Sequence, residues 1–456
     1  MKGIDMTQGA IWKQLLLFAM PLALANLLQQ SYNTIDAIIV GQFVSSDALA
    51  AVGASIPITM MIIAFFMGLS NGASVLIAQF FGARNRVELR NAVHTAIFIS
   101  FIIGIVLSAV GVLISPLLLQ LVQTPKEVFD LAVLYLRIYF AGLSGLTVYN
   151  MGAAILAATG DSKRPLYFLM LSVAVKLALN LLFVLAFNWG VTAVAWSTVI
   201  SQAITAILVI RLLCSHPSDI KLNLRQLKIH KHILKRVIEI GLPGGIQGAI
   251  ISFSNVIVQS YINILGGAAM AGYSVSSRID SFMFAPMQGL ALAGATFVGQ
   301  NLGAGQVERA RKGANMSMIV GILAAMVTSV FAFTFMTSLI RIFTADEAVV
   351  QYGQSFMRIL VPFYFMLAFS FILSGALRGS GDVRVPTIIN IICFVVMRQL
   401  YLFIVTGFSH TAESIAMGFP VGWFVASLSM FIYYKRRDWS GFKKVDVDLE
   451  EDGAKA

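Results

Sequence analysis

The sequence predicts an all-α, polytopic membrane protein with twelve transmembrane helices in two homologous six-helix lobes. Its composition, the length of its apolar stretches and an internal repeat all point there. Hydrophobic residues make up 58% of the chain and charged ones 12%, against roughly 25% charged in soluble domains, so lipid is the solvent for most of it. Stretches able to cross a hydrocarbon core, about 20 residues each, fall near 12–40, 51–80, 92–121, 131–158, 165–187, 191–213, 236–264, 272–300, 313–340, 352–377, 385–407 and 413–434. Gly160-Asp161-x-x-x-Pro165 recurs as Gly381-Asp382-x-x-x-Pro386 (381 − 160 = 221), and Gln79-x-x-Gly82-Ala83 recurs as Gln300-x-x-Gly303-Ala304 at the same spacing. Two homologous membrane halves facing one another build a cavity that can open to either side, which makes transport the leading expectation.

The first stretch is too long for the apolar core of a signal peptide. It has a counterpart after Pro243, 222 residues beyond Pro21, so the first loop differs by one residue between copies. Pro21, Pro57, Pro243, Pro286, Pro362 and Pro420 lie within or beside spans and are candidate hinges. Residues 1–214 form the N-terminal lobe, 215–235 a basic cytoplasmic linker, 236–436 the C-terminal lobe and 437–456 a cytoplasmic tail, whose acidic Asp446–Asp452 run suits a disordered segment. His216, His230 and His232 in the linker read as solvated side chains, since neither cysteines nor clustered carboxylates accompany them.

The net charge of +11 reports orientation, because of where the positive residues fall, and no nucleic-acid partner is expected. Loops near 41–50, 188–190, 265–271 and 408–412 carry no Lys or Arg, whereas those around 84–90, 163–164, 221–236, 309–312 and 435–444 are rich in them. The positive-inside bias then places both termini in the cytoplasm, with the chain in the cell inner membrane. Cys214 and Cys393 sit at a helix end and inside an apolar span, which indicates neither a disulfide nor a metal site.

An ionisable group at mid-membrane costs about 2.5–3.5 kcal/mol on insertion scales, so each needs a partner or a function. Asn26, Gln29, Asn33 and Asp36 step by three and four along one stripe of the first helix. Asp36 is a candidate to bind a proton or Na⁺, with a structural ion pair as the alternative. Lys176 and Asn180, on one face of the fifth span, and Thr198 of the sixth are its candidate partners. A nearby Lys176 would hold the carboxylate ionised. In the second half Arg278 lies near the outer surface, while Asp280 and Arg398 lie deeper. With Gln259 and Asn263 of the seventh span they could form a polar patch in the C-terminal lobe. The 20 Met and 33 Phe suit an adaptable cavity, though none is assigned to one.

No Walker loop, His-Glu-x-x-His or nucleophile elbow occurs. The chain is therefore not expected to be an enzyme or to need a cofactor, and uphill transport would draw on an H⁺ or Na⁺ gradient. The helices hold too few Lys and Arg for a flippase that grips a lipid-linked pyrophosphate; a channel is the other alternative.

Pro21, Tyr32, Asp36, Gly41 and Leu49-Ala50-Ala51, with the paired Gln-x-x-Gly-Ala and Gly-Asp-x-x-x-Pro loops, resemble the multidrug and toxic compound extrusion (MATE) transporters over nearly all of residues 10–436. The resemblance implies a V-shaped pair of lobes and export of small amphiphilic, often cationic molecules by H⁺ or Na⁺ antiport. A monomer in the lipid bilayer is expected. Asp36 matches the family's N-lobe carboxylate and Thr198 its sixth-helix threonine. The fifth-helix Asn-x-x-Leu-Asp-Pro of several members reads here Lys176-Leu-Ala-Leu179-Asn180-Leu181. A fixed ammonium in that place argues against Na⁺. The acidic pair of the NorM branch has no counterpart, since no Asp or Glu lies between Gln351 and Arg378, and the chain is similar to the DinF-like branch instead.

Overall fold

The computed structural model describes residues 4–216, 220–437 and 439 and, of residues 32–35, 37, 38, 42 and 46, the backbone alone. All regular structure among the described residues is helical. The first half comprises α1 (Ile11–Phe43), α2 (Ser46–Gly82), α3 (Arg86–Leu121), α4 (Lys126–Ala141), α5 (Leu143–Ala158), α6 (Lys163–Leu181) and α7 (Val191–Ser215). The second comprises α8 (Lys231–Asn263), α9 (Gly267–Gly303), α10 (Val307–Thr334), α11 (Met336–Arg341), α12 (Glu347–Leu360) and α13 (Tyr364–Gly379), followed by α14 (Arg384–Ile391), α15 (Arg398–Val405), α16 (Ala412–Ala416) and α17 (Gly418–Arg436). Among the described residues, eleven helical stretches are long and apolar enough to cross a membrane, and α4 with α5, taken as one bent span, supplies a twelfth.

That fourth span, a single stretch in the sequence reading, is two helices bent by 47°. The bend is at Gly142, where a Cβ would press to 2.4 Å from the Val199 side chain of α7. The tenth span breaks at the corresponding place, in a tight turn at Val361–Phe363 that contains Pro362. Elsewhere local chemistry sets the helix ends. Ser45, Asn85 and Asp346 each accept a hydrogen bond from a first-turn backbone N–H, satisfying donors that a helix start leaves open. Gly160 and Gly381 leave α5 and α13 with φ of +88° and +85°. This left-handed step is easy only for glycine and explains the repeated Gly-Asp pair.

The helices pack alike in both halves: α2 lies on α5 as α9 lies on α13, and α3 on α5 as α10 on α13. Across the halves, α2 lies on α8 and α1 on α9. Glycine makes that seam. A Cβ on Gly68 would stand 2.1 Å from Gly245 N, one on Gly72 2.5 Å from Gly241 Cα, one on Gly82 1.9 Å from Gln300 O and one on Gly303 2.0 Å from Gln79 O. Small residues permit such backbone approach between membrane helices. At the same end Gln79 Nε2 donates to Gly379 O (3.1 Å) and Gln300 Nε2 to Ala158 O (2.8 Å). Since 300 − 79 = 221 and 379 − 158 = 221, these two bonds are one interaction made twice, and they give the repeated Gln-x-x-Gly-Ala its structural meaning.

The segment before α1 covers this latch. Met6 N donates to Gln300 Oε1 at 3.1 Å, and Met6 O accepts from Asn301 Nδ2 at 3.0 Å. Ile4 lies against Gly160, and Arg309 of α10 donates to Gly9 O. These contacts lie at the end of the bundle that carries the Asp161 and Asp382 loops and the 220–230 connector. The connector is held to α3, because Asn223 N donates to His94 Nε2 and His230 N to Thr95 Oγ1. Burial and the neighbouring His232 keep the His230 imidazole below its ordinary pKa.

Two alanine substitutions in α2 separate seam packing from helix propensity. Gly82→Ala should cost about 1–3 kcal/mol, the range for overpacking, and lower the melting temperature in detergent. Gly53→Ala, whose Cβ meets nothing within 4 Å, should leave it unchanged or raise it, as Ala is better than Gly in a helix by up to about 1 kcal/mol. Equal effects of the two would contradict this account of the seam.

Candidate functional site

Three of the sequence-derived candidates meet inside the first half. Lys176 and Asn180, one turn apart on α6, clamp the two oxygens of Asp36 from α1. The ammonium donates to Oδ2, and Asn180 Nδ2 to Oδ1 at 3.1 Å. Asp36 is 7% exposed, Lys176 2% and Asn180 0%. Such a pair holds no net charge, and breaking it from one side would leave a buried ion uncompensated. Just beyond, Leu182–Ala186 forms a π-helical turn, a departure from α geometry often found near functional residues. Thr198 is buried, but its Oγ1 bonds Val194 O at 2.9 Å within α7.

The polar stripe of α1 divides between two surroundings. Asn26 Nδ2 crosses the seam to Ala285 O of α9 at 3.3 Å and lines a cavity of about 130 Å³ between the halves, together with Asn71, Gln288, Thr296 and Arg378. Gln29 is part-buried and Asp36 points into its own half. The side chain of Asn33 lies outside the described residues.

In the second half the expected patch of Gln259, Asn263, Asp280 and Arg398 does not assemble. Gln259 Nε2 bonds Asn263 Oδ1 at 2.9 Å in an exposed position, one turn apart on α8, away from the other two. Asp280 of α9 and Arg398 of α15 instead line a cavity of about 290 Å³ walled by Phe284, Phe371, Phe394, Phe419 and Trp423. Tyr364 of α13 donates its hydroxyl to Asp280. Arg398, 4% exposed, donates to Ser254 Oγ at 2.6 Å and stacks over Phe419 at 4.8 Å. Arg278, about three turns into α9, is exposed. Phe371 borders both this cavity and the one between the halves. Tyr364 and the aromatic wall were not singled out from sequence. For Tyr364 a signal existed, since a hydroxyl inside an apolar span needs a partner.

A family description, MatE, matches residues 21–182 and again 243–404, 324 of 456 positions (162 + 162) and most of each half. The chain belongs to the MATE family of transporters. Among MATE relatives, it is 29% identical over 446 residues to Bacillus subtilis YpnP, whose name calls it a probable multidrug resistance protein, covering 97% of this chain and 99% of that one. It is 27% identical over 387 residues to the Thermotoga maritima protein named NorM, covering 84% and 83%. In fold it is similar to an outward-facing multidrug resistance MATE transporter of the MOP superfamily and to a MOP transporter from Pyrococcus furiosus. Each superposes with a TM-score of 0.90 at 24% identity, covering 97% of this chain and 99% of that one.

Both matched segments begin and end 222 residues apart (243 − 21 = 404 − 182 = 222). In that register Arg398 corresponds to Lys176 (398 − 176 = 222), and Val258, fully buried, to Asp36 (258 − 36 = 222). The Gly-Asp loops keep 221; the additional residue is taken up in the π-helical turn Ile392–Met397 immediately before Arg398. Each half of this MATE protein therefore carries one buried cation at an equivalent place, and only the first half supplies a carboxylate to meet it.

Removing one side of the Asp36–Lys176 pair should be costly. Asp36→Leu is expected to lose about 3–5 kcal/mol, the range for a buried pair broken from one side, while Asp36→Leu with Lys176→Met should recover most of that loss. Thermal unfolding in detergent reads both, and a double variant no more stable than Asp36→Leu would show that the two groups are not coupled.

Proposed function

We propose that this MATE transporter is an ion-coupled secondary antiporter that exports amphiphilic small molecules by alternating access, with Asp36 and Lys176 as its coupling switch. The observation that carries the reading is the buried Asp36 carboxylate, held on both oxygens by Lys176 and Asn180. A proton reaching Asp36 removes its charge and releases the clamp. Losing that proton re-forms it. Sodium would have to enter beside a fixed ammonium, which Coulomb repulsion opposes in a low-dielectric site, so the coupling ion is H⁺.

The seam supports the alternating part of the reading. Its glycine contacts and paired glutamine bonds close the basic end, and outward access is the state these contacts stabilise. The halves act as lobes over 1–214 and 236–436, joined by the 215–235 linker and followed by the 437–456 tail. The positive-inside rule puts the basic end and both termini in the cytoplasm of the cell that holds the protein in its inner membrane. The protein works as a monomer. Its lack of acids between Gln351 and Arg378 aligns it with the DinF-like branch rather than NorM.

Proteoliposomes test this directly. With a panel of amphiphiles bearing cationic, neutral and anionic heads, a proton gradient should drive flux through the wild type, an equal Na⁺ gradient should not, and Asp36→Asn should reduce proton-driven flux to the level of empty vesicles. Sodium-driven flux would overturn the choice of ion, and full proton-driven flux in Asp36→Asn would remove Asp36 from the mechanism.

A further inference from the structure

Arg398 has a buried positive charge and, among the described residues, no carboxylate within ion-pairing distance. Its Nη2 bonds the neutral Ser254 hydroxyl, its Nε is buried without a hydrogen-bond partner, and its plane lies over Phe419. A guanidinium offers five donors and stays protonated at any physiological pH. In the repeat, the position that gives Lys176 its carboxylate is here the apolar Val258. The one acid lining the same cavity, Asp280, already accepts from Tyr364, and no ion pair joins it to Arg398. The cavity that Arg398 borders is about 290 Å³ and otherwise mostly aromatic, near the lower end of the range for small-molecule pockets.

We infer that the second-half cavity binds amphiphiles with a compact apolar or aromatic body and a carboxylate head, the head pairing with the Arg398 guanidinium. The inference rests on the transporter reading above and specifies a substrate class for it. The bound carboxylate stands where the second half lacks its own acid. It accepts from the donors that Ser254 leaves unused, in the geometry for which Arg is suited, while the body lies against the wall formed by Phe284, Phe371 and Trp423.

Isothermal titration with the full-length protein in nanodiscs, corrected for empty nanodiscs, tests the site with one aromatic body and three heads: 1-naphthaleneacetate, 1-naphthaleneacetamide and 1-naphthylmethylammonium. The carboxylate should bind at least about ten-fold tighter than the amide or the ammonium. Arg398→Gln should bring it to the level of the amide, Arg398→Lys should fall between, and Asp280→Asn should leave the preference in place. The comparison of heads on the wild type does not depend on how well any variant folds. Equal binding of carboxylate and amide would overturn the inference, as would tightest binding of the ammonium with its loss in Asp280→Asn. Titration uses no gradient, so carboxylate binding without ion-driven flux would remove the coupling mechanism and leave the site. Ion-driven flux with binding indifferent to the head would remove this site alone.

Discussion

Close contact between the two halves at one end of the bundle is the constraint on which the rest of this structure depends. At Gly68, Gly72, Gly82 and Gly303 a single added carbon would fall inside the opposite backbone. Lipid provides little hydrophobic incentive for helices to associate, so membrane helices rely on packing and hydrogen bonds. Here the packing is glycine against backbone, and the bonds are the reciprocal pair from Gln79 and Gln300. Because both are made twice under one spacing, the seam is symmetric, and the N-terminal segment over Gln300 closes it from one side only.

The buried charges follow a different logic. The first half neutralises its cation internally, with Asp36 held by Lys176 and Asn180. The second half keeps Arg398 at the equivalent place, but Val258 supplies no acid and, among the described residues, the guanidinium finds only a hydroxyl and a ring. Two halves of common design thus differ in what they require from outside: one has a self-contained pair that a proton can open, the other a cation that remains unneutralised. The first suits energy coupling and the second ligand binding, a division of labour that follows from the replacement, between the copies, of Asp36 by Val258 and of Asn180 by Leu402 (402 − 180 = 222).

Much of this was legible in the sequence. The span count followed from hydropathy, because the bilayer demands long apolar helices whatever their packing. The pairing of Asp36 with Lys176 and Asn180 was foreseeable for the same reason, since isolated charges in lipid are costly enough to seek each other. Less visible was the fate of Thr198, whose hydroxyl bonds its own helix, an option open to any helical threonine. Gln259 and Asn263 misled for a similar reason: four residues apart, they satisfy one another. The aromatic wall around Arg398 carried no sequence signal, because Phe is equally at home against lipid.

By itself, the sequence determined the apolar spans, their duplication and which spans contain charge, since these depend only on composition and spacing along the chain. Tertiary structure alone decided which charges meet. Asp36 and Lys176 stand 140 residues apart and touch, whereas Asp280 and Arg398 line one cavity without pairing, because helix crossing angles and π-helical turns set where each side chain points. The meaning of the repeated glutamines and glycines also waited on the fold: a motif cannot show that it will face its own copy until the two halves are brought together.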